Sequence, residues 1–167
     1  MIVKRATFRP SIAADLPGIR SVEERAFGRP GEADLSAALI AAPIDTISIV
    51  AEHVGGIVGH VLLSRVEGPE RALALAPLSV DPDWQEMQIG TQLVRTALGV
   101  ARENGWRSAF VLGAPDYYCR FGFRSALADA AEVPWQGPHF LAIELERGAL
   151  AGWSGPLVYA PPFMDLA

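Results

Sequence analysis

Residues 72–105 constrain this chain more than any other stretch. Ala72 to Val80 is an apolar, strand-like run. Asp81-Pro82-Asp83 interrupts it, because Pro82 offers no backbone donor and biases its predecessor away from helix. From Ile89 onward apolar residues recur at Leu93, Val94, Ala97, Leu98 and Ala101, the spacing of one helical face. Gly105, following Asn104, stops the helix. A strand, a short turn and a helix start gather unpaired backbone N–H groups at the positive end of a helix dipole. That arrangement binds anions, and Gly90 in the first turn admits a ligand close to the backbone. A few charge-assisted hydrogen bonds of roughly 1.5–3 kcal/mol each suffice to hold a pyrophosphate. An ordinary solvated turn obeys the same local rules, so this stretch alone leaves both readings open.

The flanking sequence places that joint in a sheet. Ile2 to Phe8 reads as a first strand, and Asp15 as the cap of a helix with Pro17 in its first turn. Leu16, Ile19, Val22, Ala26 and Phe27 mark the helical face. A second helix is expected over Glu32 to Ala41, with Leu35, Leu39 and Ile40 inward. Thr46 to His53 and Ile57 to Val66 read as strands joined by a hairpin at Gly55-Gly56, and the strand after Gly68-Pro69-Glu70 extends the meander. Beyond the central helix, Ser108 to Leu112 follows as a buried strand, for which a βαβ crossover implies parallel pairing with Ala72 to Val80. Asp116 to Phe121 reads as one short helix, Phe140 to Leu145 as a strand, and Leu157 to Ala160 as a last short strand. The fold class is therefore α/β or α+β, with a mixed, mostly antiparallel central sheet flanked by helices, in one domain over residues 1–167.

Composition narrows the function classes. A formal charge of -5 argues against broad nucleic-acid binding. The single cysteine, Cys119, rules out an intrachain disulfide and a cysteine-rich metal site. No His/Cys/Asp/Glu set has metal-ligand spacing. With no long apolar run and no signal-like N-terminus, a cytoplasmic location away from membranes is the expectation.

Two segments in order carry a family resemblance. Gln85-Glu86-Met87-Gln88-Ile89-Gly90 resembles the turn Arg/Gln-x-x-Gly-x-Gly/Ala of the GNAT acetyltransferases, and Tyr117-Tyr118-Cys119-Arg120-Phe121-Gly122-Phe123 resembles their aromatic-Tyr-x-x-x-Gly-Phe segment. The tail, with Gly148-Ala149-Leu150-Ala151-Gly152 and Val158-Tyr159-Ala160-Pro161, is similar to the subgroup described as YhbS-like. The resemblance covers nearly the whole chain and implies an acetyl-CoA-dependent N-acetyltransferase without a metal, acting on a primary amine of a small molecule or protein, and a possible homodimer. It implies that backbone N–H groups of Met87, Gln88, Ile89, Gly90 and Thr91 hold the pyrophosphate, with Gln85 at the first motif position. It also implies that the strand Ala76 to Val80 pairs with the pantetheine arm, and that an N–H near Leu78, Ser79 and Val80 polarises the thioester carbonyl. Tyr118 matches the tyrosine that protonates the departing thiolate, a task a phenol of pKa about 10 can perform. A packed aromatic with a satisfied hydroxyl is the alternative for Tyr118, and packing is the expectation for Tyr117.

The chain departs from the motif at two places. Gln88 stands at the middle glycine, where it either crowds a pyrophosphate or points to solvent from a normal helical backbone, and Met87 stands where relatives often carry a cation. These departures support a second reading, a non-catalytic ligand-binding or regulatory domain on the same fold. No general base is singled out: Glu23, Glu24 and Glu32 read as solvated helix-face charges, and His60 as a hydrogen-bonded structural histidine. Trp84, Trp106, Trp135 and Trp153 read as packing residues first and acceptor-pocket walls second.

Overall fold

Apolar residues alternate through the three-strand meander, so its centre buries both faces and requires cover on each. The computed structural model describes residues 5–85 and 87–165 and shows how that cover is made. A six-stranded sheet contains β1 (Thr7–Pro10), β2 (Thr46–His53), β3 (Gly56–Val66), β4 (Ala72–Val80), β5 (Ser108–Leu112) and β7 (Phe140–Glu144) in the spatial order β1-β2-β3-β4-β5-β7. Neighbours are antiparallel except β4 and β5, which are parallel as the crossover through α3 (Ile89–Glu103) requires.

The helices divide between the faces. On β3, Val61 and Leu63 join the cluster under α3, where Leu93, Val94, Ala97, Leu98 and Ala101 are all buried. Leu62 points the other way, against Leu35 and Leu39 of α2 (Gly31–Ala41). His60 shares that face and meets Glu23 of α1 (Leu16–Phe27). A second cluster on the side away from α3 joins Phe110, Phe140, Leu150 and Leu157. A two-stranded ribbon of β6 (Ala131–Glu132) and β8 (Gly155–Pro156) borders it.

Several sequence expectations change at this level. The first strand begins at Thr7, within the described residues, and ends at Pro10, because its register is set by Thr7 facing Glu52 and Pro10 facing Ile49. The part of the expectation on Ile2 to Lys4 lies outside the described residues. Asp15 sits at the start of α1 but makes no capping bond with its side chain. Its carboxylate instead accepts from Arg9 Nη1 at 2.7 Å, Arg9 Nη2 at 2.9 Å and the Ile12 N–H at 2.8 Å. The hairpin turns on Val54 and Gly55, both at positive φ, and Gly56 already belongs to β3. The expected helix over Asp116 to Phe121 is two shorter pieces, α4 (Pro115–Tyr118) and a 3₁₀ turn at Cys119–Phe121. Leu157 to Ala160 forms no strand. Val158 makes a lone bridge to Glu67, and the ribbon strand lies just before it.

Glu23 and Glu32 are not solvated charges. Glu32 is nearly inaccessible and pairs with Arg29 Nη2 at 2.6 Å. Glu23 is fully buried: its Oε1 accepts from Ser36 Oγ at 2.9 Å and lies 2.5 Å from His60 Nδ1. His60 Nε2 in turn lies 2.8 Å from Ser48 Oγ, so the histidine is hydrogen-bonded at both nitrogens. A polar chain thus ties α1 and α2 to β2 and β3, and the low-dielectric surroundings strengthen each link. Glu24 is exposed, as expected.

Candidate active site

The site begins where β4 and β5 part. They pair only from Ala72 to Ala74 against Ser108 to Phe110, while β4 stays paired with β3 as far as Val80. The β5-facing edge of β4 is therefore open from Leu75 onward. A bulge bends this part of the strand. Leu75 faces Leu63 and Leu78 faces Val61, so Ala76 and Pro77 together oppose one residue of β3. The bulge also explains a proline within a central strand, since its missing donor costs no ladder bond there. Beyond the strand, Asp81 donates its N–H to Val58 O at 2.8 Å. Alternation along the antiparallel ladder then turns the backbone groups of Val80 and Leu78 toward the open edge.

A 3₁₀ turn at Pro82–Trp84 leads from β4 to α3. Asp81 stiffens it by accepting the Asp83 N–H at 2.9 Å, and Arg25 of α1 pairs with the other oxygen at 2.8 Å. The first backward bond of α3 among the described residues runs from the Gln92 N–H to Gln88 O, and the N–H groups of Ile89, Gly90 and Thr91 have no partner among the described residues. Gln88 precedes them with φ 64 and ψ 14, a left-handed backbone. Of the readings left open at Gln88, the one on a normal helical backbone is therefore excluded. The residue takes the conformation a glycine adopts freely, at a cost of roughly 1–2 kcal/mol for a residue with a Cβ. Glu86 lies outside the described residues.

A cavity of about 420 Å³ opens at this helix start. Of the residues expected there, Leu78, Ser79, Val80, Gln85, Gln88, Ile89, Gly90 and Thr91 line it; Met87 and Tyr118 do not. Ala26 and Phe27 from the end of α1 and Trp84 complete the near wall. Tyr117 and Arg120 form the far wall, and sequence reasoning missed both. Tyr117 is no mere packing residue: its hydroxyl lies 3.3 Å from Thr91 Oγ1, and a Cβ on Gly90 would stand 3.0 Å from it. A side chain at Gly90 would thus press on the Tyr117 hydroxyl, which would have to give by a few tenths of an ångström. Arg120 stacks over the Tyr117 ring at 4.4 Å and donates from Nε to Tyr117 O at 2.8 Å. Among the described residues no carboxylate pairs with Arg120, so a cation faces the cavity from the segment after β5. The i, i+3 spacing of Tyr117 and Arg120 across a short helical turn was the available signal.

Tyr118 does not line this cavity. Its ring packs against Gly113 at the end of β5, where a Cβ would come within 2.5 Å of Cε2, and edge-on to Tyr117 and Phe123. Its hydroxyl has no hydrogen-bond partner among the described residues. Burial, and secondarily the neighbouring Tyr117, push the phenol up to about 12. Cys119 is exposed and its thiol approaches only the Asp116 carbonyl, at 3.4 Å. Of the four tryptophans, Trp84 borders this cavity and Trp106 is buried under the Arg71 guanidinium, which also donates to the carbonyls of Asn104 and Gly105 just past α3. Trp153 packs with Phe110, and Trp135 lines a second cavity described below. Among the described residues, no group of three His, Cys, Asp or Glu side chains is placed to hold a metal, and no helix is long and apolar enough to cross a membrane.

Comparisons with known proteins agree with this geometry. Residues 45–125 match the model of the acetyltransferase (GNAT) domain. The chain is 39% identical over 139 residues to the uncharacterized N-acetyltransferase YjhQ of Escherichia coli K12, spanning 77% of this chain and 75% of that protein. It is 32% identical over 161 residues to the uncharacterized N-acetyltransferase YhbS of the same organism, spanning 93% and 96%. The crystal structure of E. coli YhbS in complex with CoA superimposes with a TM-score of 0.92, covering 100% of this chain and 96% of that one at 29% identity. A GNAT family acetyltransferase from Brucella melitensis in complex with acetyl-CoA superimposes with a TM-score of 0.81 at 29% identity, covering 96% and 99%. With its fold, its open β4 edge and its relatives in agreement, the chain belongs to the GNAT N-acetyltransferase family.

Proposed function

We propose that this protein, as one GNAT domain acting in the cytoplasm, moves an acetyl group from acetyl-CoA to a primary amine by direct attack in a ternary complex. The observation that carries the reading is the run of N–H groups at Ile89, Gly90 and Thr91, without a partner among the described residues, beside the unpaired edge of β4. The site fits the cosubstrate. The left-handed Gln88 keeps the glycine-type turn despite its side chain, and Arg120 supplies the cation that Met87 does not. Bound acetyl-CoA supplies an activated acyl group and a thiolate leaving group. The helix start and Arg120 hold the pyrophosphate, and the open edge of β4 takes the amide-bearing arm. The backbone N–H of Val80 or Leu78 donates to the carbonyl oxygen as charge develops there, a contact worth about 10²–10³ in rate. Tyr118 stands outside the cavity lining, beside Gly113 where β5 ends, and its hydroxyl has no hydrogen-bond partner among the described residues, so it is available to hold the proton for the departing sulfur at the gap between β4 and β5. Burial makes its phenol a weaker acid than usual, so it is protonated at neutral pH and able to donate.

The non-catalytic alternative rested on Gln88 and Met87, and both departures have a structural compensation. Titration with acetyl-CoA by calorimetry tests the reading. Gly90→Pro, which removes one N–H, and Arg120→Ala each weaken binding by about 10–100-fold, the loss of one charge-assisted contact. An unperturbed Kd in both variants places the cosubstrate elsewhere and overturns the site.

A further inference from the structure

The gap between β4 and β5 opens on two faces of the sheet. The face away from α3 carries a second cavity, of about 420 Å³. Leu75 and Ala76, the first residues of β4 beyond its pairing with β5, form its floor with Leu112, the last residue of β5. Its walls are Trp135, Tyr159 and Phe163. The three rings meet edge to face, Trp135 on Tyr159 at 5.0 Å and 88° and Tyr159 on Phe163 at 5.0 Å and 89°. Such contacts favour one arrangement, so the pocket is shaped rather than collapsed. Among the described residues no charged side chain lines the cavity. Its remaining surface is aliphatic or aromatic, with Leu112 more than half exposed at the mouth.

Resting on the acetyltransferase reading, we propose that this cavity is the acceptor pocket and that it takes a small primary amine whose other end is an aromatic or bulky aliphatic group without a second charge. The location supplies the approach: an amine seated here reaches the open edge of β4 from the face opposite α3. The lining supplies the selectivity. An acceptor carboxylate would find no cation and a second ammonium no carboxylate, and an unpaired charge in such a pocket is strongly disfavoured. An aryl group, by contrast, gains both buried area and ring contacts.

The test follows thiol release with 2-phenylethylamine, isoamylamine, spermidine, lysine and a short peptide with a free N-terminus, alongside calorimetry with acetyl-CoA. The expected result is a kcat/KM for 2-phenylethylamine at least 100-fold above those for spermidine, lysine and the peptide. Trp135→Ala and Phe163→Ala raise its KM at least tenfold and leave the acetyl-CoA Kd unchanged, whereas Trp135→Phe restores most of the affinity. As a readout independent of turnover, 2-phenylethylamine binds the CoA-loaded protein and quenches tryptophan fluorescence, and Trp135→Phe removes most of the quench. Acetyl-CoA binding together with preferred turnover of polyamines, amino acids or peptides, or with no turnover of apolar amines, overturns the proposal and leaves the cosubstrate site standing. Absence of acetyl-CoA binding overturns the underlying reading itself.

Discussion

Gly59→Ala tests how closely α3 is seated on the sheet. Gly59 lies in β3 opposite Val80, directly beneath the first turns of α3. A Cβ there would stand 2.9 Å from Leu93 Cδ1, 3.0 Å from Ile89 Cγ2 and 3.2 Å from Ser79 O. Leu93 is fully buried and Ile89 nearly so, which leaves neither side chain room to retreat. Forcing a methyl into such a contact costs about 1–3 kcal/mol, and replacing a strand glycine returns about 0.5–1 kcal/mol. The net loss centres on about 1 kcal/mol, or about 2–4 °C in Tm for a chain of this size. The functional consequence is local. The N–H groups of Ile89 and Gly90 move away from Val80, so the acetyl-CoA Kd rises about tenfold for each 1.4 kcal/mol of lost contact. Urea denaturation and calorimetry measure the two effects. Gly99→Ala is the matched control on the same helix, because nothing lies within 4 Å of its Cβ position. It gains about 1 kcal/mol from helix propensity. Equal stability of Gly59→Ala and the parent would refute the close seating and the link drawn from it to the cofactor site.

The remaining predictions concern strain and protonation. Gln88→Gly relieves the left-handed backbone and raises the urea midpoint by the equivalent of about 0.5–1 kcal/mol, whereas Gln88→Val lowers it; no difference between the two would contradict the strained turn. Tyr118→Phe lowers kcat by about 10²-fold or more with little change in acetyl-CoA Kd. Because the Tyr118 phenol is pushed up to about 12, it stays protonated through the alkaline assay range, and kcat shows no fall near pH 10 from this group. A kcat limb near pH 10 that vanishes in Tyr118→Phe would show an ordinary phenol there. The Arg9 guanidinium holds the Asp15 carboxyl below the usual carboxylate range, with the Ile12 N–H acting in the same direction. Its folded value is depressed, so the stabilisation is present at neutral pH and is lost as pH falls below about 4. Asp15→Asn is less stable than the parent at pH 7, and the difference narrows on acidification; a constant difference from pH 7 to pH 2 would contradict the pairing.

The order of elements was legible because local rules dictate it. Period-two and period-3.6 patterns marked β2, β3, β4, α3 and β5 with bounds close to those observed, since each buries a face along its whole length. The cofactor turn was legible for the same reason. Proline, glycine and a helix start within ten residues gather backbone N–H groups, and Leu78, Ser79, Val80, Gln85, Gln88, Ile89, Gly90 and Thr91 do line one cavity. The rest depended on contacts distant in sequence. Whether Glu23 is solvated or buried turns on His60, 37 residues away. Which of two adjacent tyrosines reaches the cavity turns on Gly90 and Gly113, which select the places their rings can occupy. Arg120 enters the site only because β5 runs parallel to β4 and brings the following turn beside the start of α3. The aromatic pocket unites Leu75, Leu112, Trp135 and Phe163 from four separate segments. The sequence by itself determined the elements and the tight turn into α3, because backbone sterics and hydrophobic period act over a few residues. Only the tertiary structure decided which side chains meet at the site, because that depends on where two strands stop pairing.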